Sequence, residues 1–511
     1  MPRRSAARHN LSALLLESAV DEGRAELPAL RWTGGEWSYV ELERRVGSAG
    51  GWLAENGVRR GDVVLVVLTD SPEWVAVFLG AARIGAVCAL ASPGLPPARL
   101  HEAARRLRPT AVVMDGLYPV GRARVLSGAA ARAALDGGVH DPGPAAVRAD
   151  DPAYLLLTSG STGPSKWALH RAGDIAACIA TYGRRVLRLR PGDTTWSVAS
   201  LPTSYGLGNS CYFPLGAGAC AAIAGEDRSA AACAAACAAH GVTALFGVPT
   251  SWARLARHVA DGRVPREAFA SVRLAVSAGE HLPEEVWRSV ERALGLRLVN
   301  GLGSSEASNL YLSDRPGRPR PGTVGWPVPG YELRLRPAGD EDPRVGELLV
   351  RGPTVMVGYD SESAIRTGVV QDGWLRTGDV LRREDDGSYT YLRRAGDRFK
   401  AGALWVDAAR VRDALTGHEE VADAVALPVR DPDGLVRVGA AVVPVPAADA
   451  GLRERLIAAT ARQLAPHEVP RVLLVLTALP TTASGKVDRA ELSRRLADEL
   501  AGESGARRAV P

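Results

Sequence analysis

The chain has 511 residues, 46% hydrophobic and 23% charged, a balance typical of a soluble globular enzyme and a length too great for one compact core. Its formal charge is only +5, with 62 Lys and Arg scattered among 57 Asp and Glu, so no basic stripe points to nucleic acid. No apolar run reaches the roughly 18 residues of a membrane-spanning helix, which excludes that class of partner.

From the N-terminus, MPRRSAARHNLSALLLESAV carries an apolar stretch too short, and too soon followed by Glu17 and Asp21, for a signal peptide. The six cysteines are accordingly expected as reduced thiols in the cytoplasm. VVLVVL at 63–68 is an apolar run of strand length, followed by helical spacing through Trp74, Phe78 and Ile84. A second run at 86–90, a helix near 97–107 and AVVM at 111–114 come next. The alternation returns where an alanine-rich helix at 230–239 leads into TALFGVP, and where SVRLAVSAGE at 271–280 passes from strand to loop. Strands without internal alternation, separated by helices, predict an α/β fold of doubly wound, mainly parallel sheets with functional loops at their carboxyl ends. Cys233 and Cys237 lie four apart with His240 close by, a spacing open to a metal. The flanking alanines favour a small-residue packing face instead, and no second ligand pair completes a tetrahedron. Beyond about residue 395, VADAVALPV, VGAAVVPV and VLLVL surround one amphipathic helix, LRERLIAATARQLA, predicting a compact α+β unit with a polar tail after about Gly502. Two domains are thus expected, a large one over 1–395 and a small one over 396–511.

Only three lysines stand among the 62 basic residues: Lys166, Lys400 and Lys486. In a chain rich in Ala, Gly, Arg and Pro, arginine serves wherever bulk positive charge suffices, so lysine is expected to persist where a compact ammonium must enter a narrow space. Lys166 ends TSGSTGPSK, residues 158–166, just after the apolar strand YLLL. Thr158 opens the loop, Gly160 and Gly163 let backbone amides face an anion, Ser159, Ser161 and Thr162 add hydroxyls, and Lys166 adds charge. These are the ingredients of a polyphosphate cradle. It is not a Walker A loop, because Gly and Lys are not adjacent and no Ser or Thr follows the lysine. A flexible surface turn has the same composition.

The TSGSTGPSK loop resembles the signature of the adenylate-forming superfamily, which contains acyl-CoA and aryl-CoA synthetases, peptide-synthetase adenylation domains and beetle luciferases. Where that loop usually ends Pro-Lys-Gly, this chain has Ser165-Lys166-Trp167. NGLGSSE, residues 300–306, is similar to a second signature; the resemblance implies nucleotide contacts from Asn300, Gly301 and Leu302, a phosphate contact from Ser305 and a magnesium ligand in Glu306. SAGEHLP implies further nucleotide contacts at Ala278, Gly279 and Glu280, LRTGD places Asp379 at the ribose hydroxyls, and Arg394 matches a ribose- and phosphate-contacting arginine. LPTTASGKVDR resembles the mobile loop whose lysine, here Lys486, drives adenylation. One ammonium bridging a carboxylate and the α-phosphate neutralises two approaching anions. The resemblance spans about Asn10 to Arg489 and implies ATP and Mg2+ as cofactors, with Lys166, Glu306, Lys400 and Lys486 as catalytic residues.

Within the superfamily, YGLGNSCYFPL and GLGSSEASNLYLSDRPG look most like the benzoate and other aryl-CoA ligases. That likeness implies an acid pocket at Tyr205, Gly206, Gly303 and Asn309, with Ala307 and Asn309 where members usually carry a bulkier residue and a His. Members rotate the small domain about a hinge, usually Asp or Lys and here Gly396, then offer the adenylate to a thiol. Lys400 resembles the lysine presented at that stage, and the family's Ser-Gly beside the pantetheine tunnel is Gly402-Ala403 here. The implied function is activation of an aromatic carboxylic acid as acyl-AMP and transfer to CoA, by a cytoplasmic monomer or homodimer. The alternatives are delivery to an acyl carrier protein, an amine or another acceptor, with an unusual acid, and an inactive ligand-binding paralogue, which the presence of every expected catalytic group disfavours.

Overall fold

Local signals set the first helices. Ser38 and Glu41 cap helix Tyr39–Glu55 reciprocally, the Glu41 amide donating to Ser38 Oγ at 3.4 Å and the Ser38 amide to Glu41 Oε2 at 2.9 Å. Ser71 caps Pro72–Arg83, whose first-turn proline is pre-shaped for a helix start. The two helices approach closely where Gly80 meets Gly50: a Cβ on Gly80 would lie 2.8 Å from the Gly50 nitrogen. The computed structural model of the chain describes residues 9–17, 19–116, 118–158, 166–337, 342–360, 368–401, 404–432, 434–445, 451–481 and 487–508.

A seven-stranded sheet runs in the order Gly358–Tyr359, Lys166–Arg171, Pro152–Thr158, Val87–Leu90, Val63–Val67, Ala111–Met114, Arg124–Ser127. Its centre is parallel, as the apolar runs predict, but Pro152–Thr158 and Lys166–Arg171 form an antiparallel hairpin. A nine-stranded sheet has a parallel centre that includes Thr194–Ser197, Ala244–Gly247, Leu274–Ser277 and Leu298–Gly303, with antiparallel pairs toward both edges. Helices Tyr39–Glu55 and Pro72–Arg83 contribute fully buried faces, including Leu42, Val46, Trp74 and Phe78, to the core cluster shared by these sheets.

A third sheet was not anticipated. Strands Glu332–Pro337, Val345–Arg351, Val370–Gln371, Trp374–Arg383 and Tyr389–Arg394 pair antiparallel, so mainly parallel describes two of the sheets and not this one. In the C-terminal α+β region, Val421–Arg430 and Val436–Pro444 pair antiparallel and Val472–Val475 adds parallel to the latter. Helix Leu452–Gln463 falls where expected, but Ala408–Thr416 and Arg489–Arg508 pack there too. The last helix, Arg489–Arg508, continues past Gly502, where a polar tail was expected; Arg495–Glu491 and Arg494–Asp498 pairs brace its earlier turns. Among the described residues no helix is long and apolar enough to cross a membrane.

Candidate active site

Strand Pro152–Thr158 ends, and its partner begins, with Thr158 facing Lys166 in register. Thr158 Oγ1 donates to the Lys166 carbonyl at 3.2 Å and closes the loop's base. Ser159, Gly160, Ser161, Thr162 and Gly163 lie outside the described residues. Alternation along Lys166–Arg171 sends Trp167 into the core, 1% exposed, and leaves Lys166 half-buried at the carboxyl end of the preceding strand. The Lys166 ammonium stands 5.0 Å from the centroid of the Tyr359 ring.

The same tyrosine reaches the second segment. Strand Leu298–Gly303 leads to the tight turn Ser305–Ala307, where Tyr359 Oη donates to Glu306 Oε1 at 2.7 Å. Burial, and after it the Glu306 carboxylate, push the Tyr359 phenol far above its usual range, so it acts as a donor. The turn is also fixed through its backbone. The Met356 amide donates to the Glu306 carbonyl at 2.8 Å, Thr354 Oγ1 to the Ala307 carbonyl at 2.6 Å, and His170 Nε2 meets the Ser305 carbonyl at 2.7 Å. His170 is fully buried, stacks on Tyr154 at 5.0 Å and places Nδ1 3.1 Å from Asp174 Oδ2. Gly303 has no room for a side chain, since a Cβ there would lie 2.4 Å from the Asn309 carbonyl oxygen.

Asp379 and Arg394 face each other on neighbouring strands of the third sheet. Arg394 Nη1 lies 3.0 Å from Asp379 Oδ1 and donates to the Thr377 carbonyl at 2.9 Å. The Asp379 charge holds the guanidinium pKa above its ordinary value. Tyr311, fully buried, senses both parts of the site: burial raises its phenol first, Asp379 and Glu306 add to that, and Arg394 opposes. Glu306, Asp379 and Arg394 therefore share one neighbourhood.

Tyr205 closes another side. Its ring packs edge-on against Phe246 at 6.3 Å, and its hydroxyl comes within 3.4 Å and 3.3 Å of the Gly247 and Val276 carbonyls, near the carboxyl ends of two central strands. Gly206 is buried beside it, and Ser204 Oγ lies 3.4 Å from Ser305 Oγ, linking this wall to the Glu306 turn. Asn309 is brought to the same region but its amide is engaged inside the protein. Nδ2 donates to Tyr212 Oη at 2.9 Å, Oδ1 accepts from the Leu310 amide at 2.8 Å, and the residue is only 3% exposed.

Other predicted contacts also hold the scaffold. Glu280 Oε2 accepts from the Thr250 amide at 3.3 Å, at the start of helix Pro249–Ala260, where the helix end favours a carboxylate. Ala278 is buried and Gly279 takes a φ of +92°. Gly301 and Leu302 pair with Ser313 and Leu312. Asn300 Nδ2 donates to the Thr323 carbonyl at 2.7 Å, and its backbone amide to Asp314 Oδ2 at 3.2 Å. Burial pushes the Asp314 carboxyl up to about 7.

In the C-terminal region Lys400 lies on strand Arg398–Ala401 opposite Trp405, with its side chain outside the described residues. Gly396 sits in the turn Ala395–Asp397, where the Arg394 amide donates to Asp397 Oδ2 at 3.3 Å and Arg489 pairs with Asp397 Oδ1 at 2.7 Å. Lys486 lies outside the described residues, but the base of its loop is closed by the Thr481–Val487 bridge and by the Asp488 amide donating to the Pro480 carbonyl at 2.7 Å. All six cysteines are free and buried, Cys233 and Cys237 among them in a packed core. A cavity of about 580 Å³ lined by Arg60, Arg106, Leu155 and Asp360 opens at the amino ends of the parallel strands, away from Thr158, and contains none of the motif residues.

Residues 16–360 match the AMP-binding enzyme family, and residues 411–486 match the AMP-binding enzyme C-terminal domain. The chain belongs to the AMP-binding enzyme family. Relatives of this AMP-binding enzyme include a benzoate–CoA ligase from Thauera aromatica, 34% identical over 90% of this chain and 90% of that protein. A p-hydroxybenzoic acid–AMP ligase from Mycobacterium tuberculosis is 34% identical over 95% of this chain and 69% of its own length. The crystal structure of a benzoate CoA ligase from Burkholderia xenovorans LB400 superposes with a TM-score of 0.82 at 30% identity, covering 95% of this chain and 99% of that one. The enzyme is thus of the adenylate-forming superfamily, close to the benzoate–CoA ligases. Sequence reasoning missed Tyr359 and His170. His170 had a signal, a polar side chain on the buried phase of the strand that begins at Lys166, whereas Tyr359 stands on a two-residue strand too short to announce itself.

Proposed function

We propose that this AMP-binding enzyme activates an aromatic carboxylic acid as its acyl-AMP, releases pyrophosphate, and passes the acyl group to the thiol of CoA. The observation that carries the reading is the convergence of Lys166, Ser305 and Glu306 with the Asp379–Arg394 pair, in a chain 34% identical to a benzoate–CoA ligase. The loop from Thr158 to Lys166 would receive the triphosphate, Asp379 the ribose diol through its remaining lone pairs, and Arg394 the ribose and phosphate edge. Tyr205, Gly206, Gly303 and the wall behind Asn309 would enclose the aromatic ring.

Glu306 offers a hard carboxylate oxygen, and among the described residues no group of three or more His, Cys, Asp or Glu stands ready to hold a metal alone. That donor set fits magnesium, which keeps water and substrate phosphates as most of its ligands. Bound there it would neutralise charge developing on the phosphates. The protein's own groups do the rest. Tyr359 and His170 hold the Glu306 turn in place, and Lys486, on a small domain of residues 396–511 turning about Gly396, neutralises the acid carboxylate as its oxygen attacks the α-phosphorus and pyrophosphate departs. Lys400 serves the second half-reaction, in which a thiolate attacks the acyl carbon and AMP leaves.

Pyrophosphate release and thioester formation, measured over a panel of substituted benzoates with and without CoA, test the proposal. Acid-dependent pyrophosphate release followed by acyl-CoA formation is expected, and no release with any aryl acid would overturn it. Lys400→Ala is expected to spare adenylate formation while slowing thioester release about tenfold or more. The p-hydroxybenzoic acid–AMP ligase relative, together with Ala403 in place of the family's glycine, favours a second reading in which a carrier protein or amine accepts the acyl group. Adenylate that forms but never becomes acyl-CoA, in the wild type and in Ala403→Gly alike, would select that reading.

A further inference from the structure

Lys166 and Glu306 carry opposite charges and, on the functional reading above, serve one triphosphate, yet no ion pair joins them. Tyr359 occupies the gap. Its hydroxyl donates to Glu306 Oε1 at 2.7 Å, and its ring faces the Lys166 ammonium at 5.0 Å. The residue is held there by its own backbone neighbours. The Val357 amide donates to the Leu169 carbonyl and the Asp360 amide to the Trp167 carbonyl, both at 2.9 Å. The Trp167 amide returns a bond to Asp360 Oδ1 at 3.1 Å, and Arg106 pairs with the same oxygen at 2.8 Å. Residues 354–360 therefore form a strap fixed to the lysine's strand on one side and, through Thr354 and Met356, to the Glu306 turn on the other.

An ammonium and a carboxylate aimed at the same narrow space will pair unless something prevents it, and a paired lysine and glutamate are each withdrawn from any incoming ligand. We propose that Tyr359 is a spacer, a positioning residue that keeps Lys166 and Glu306 from neutralising each other before nucleotide arrives. It does so with two contacts that incoming ligands displace readily: a ring face for the ammonium, and a neutral hydroxyl for the carboxylate. The proposal rests on the reading that Lys166 meets phosphate and Glu306 meets the metal ion.

Composition makes the test direct. With three lysines in the chain, reductive methylation with a carbon-13 label yields at most three lysine signals, and Lys166→Arg identifies the one at issue. In the wild type the Lys166 signal should be displaced by the ring current of Tyr359; the displacement should survive Tyr359→Phe and vanish in Tyr359→Leu. By calorimetry without metal, ATP affinity should hold within about twofold in Tyr359→Phe and fall about tenfold in Tyr359→Leu, the scale of one partly buried ion pair. Manganese binding to the ATP complex, followed by electron paramagnetic resonance, should weaken in parallel in the leucine variant. The deciding arm adds Glu306→Gln to Tyr359→Leu and compares it with Glu306→Gln alone: with no carboxylate to trap the lysine, the two variants should bind metal-free ATP with the same affinity. A role confined to packing would leave the tenfold loss from Tyr359→Leu intact in the Glu306→Gln background, and that result overturns the spacer. If the leucine variant fails to fold, the phenylalanine variant still decides, because a tenfold loss there would mean that the ring alone does not separate the charges. A wild-type protein that binds no ATP overturns the functional reading and the spacer with it, whereas normal wild-type binding with unchanged affinity in Tyr359→Leu overturns the spacer alone.

Discussion

Two carboxylates of the site are held in opposite ways. Asp379 is 4% exposed and locked to a guanidinium on the adjacent strand, whereas Glu306 is half-buried and held by the neutral hydroxyl of Tyr359. A contact between two charged groups is the firmer of the two and leaves the acceptor less free to turn. The contrast suits the proposed chemistry. A ribose stays put through a turnover and calls for a rigid fitting, while metal and pyrophosphate come and go and call for a carboxylate that can be released. Differences in holding, more than in residue type, separate the two roles.

The largest break comes from outside both groups. Lys486→Ala is expected to lower acid-dependent pyrophosphate exchange about 10²- to 10³-fold while leaving ATP binding measurable, because it removes only charge delivered in the transition state. Retained exchange would contradict that role. Next in size, Glu306→Gln is expected to lower the maximal exchange rate about a hundredfold with little change in the KM for ATP, and Asp379→Asn to raise that KM about tenfold with a smaller loss in rate. Steady-state kinetics at saturating magnesium distinguish these patterns, and the reverse assignment would break the comparison.

A third carboxylate sharpens it. Asp314 is fully buried, and the Asn300 and Arg320 amides, the Thr323 hydroxyl and a weaker pull from Arg320 do not offset that burial, which pushes its pKa up to about 7. The native state thus keeps a proton that the unfolded chain, with an ordinary pKa near 4, gives up sooner. The stability from this group is full below about pH 4 and is lost as pH rises through about 7. Asp314→Asn, which has no proton to lose, is expected to flatten that dependence and to be about 1–2 kcal/mol more stable than wild type at pH 8. Thermal melts between pH 5 and 8 check it, and an equal pH slope in both proteins would rule it out.

The sequence was most legible where one period dominates. Val63–Val67, Val87–Leu90 and Ala111–Met114 are buried on both faces, so each reads as an apolar run with a helix behind it. The third sheet was hidden because strands such as Glu332–Pro337 are half-covered and charged, with alternation too shallow to stand out from a loop. Within the site, the Lys166 loop and the Glu306 turn were legible as short motifs whose chemistry needs those residue types together. Their support was not. Tyr359 and Asp360 arrive from a distant stretch of chain, and the hydrogen bond from Trp167 to Asp360 joins residues 193 positions apart. Asn309 shows the converse limit: the resemblance implied a place in an acid pocket, but not that Tyr212 and Leu310 would claim its amide.

Trp167 carries a consequence for how the lysine beside it is aimed. The indole is wedged among Leu95, Leu155 and their neighbours, on the opposite face of the strand from Lys166. Sliding that strand by one residue would expel the indole into water and drag an ammonium into hydrocarbon, so the pairing can settle in only one phase. The direction of the charge at the start of that strand is thus dictated by a tumbler pin on the far side of the sheet, a side chain turned away from it.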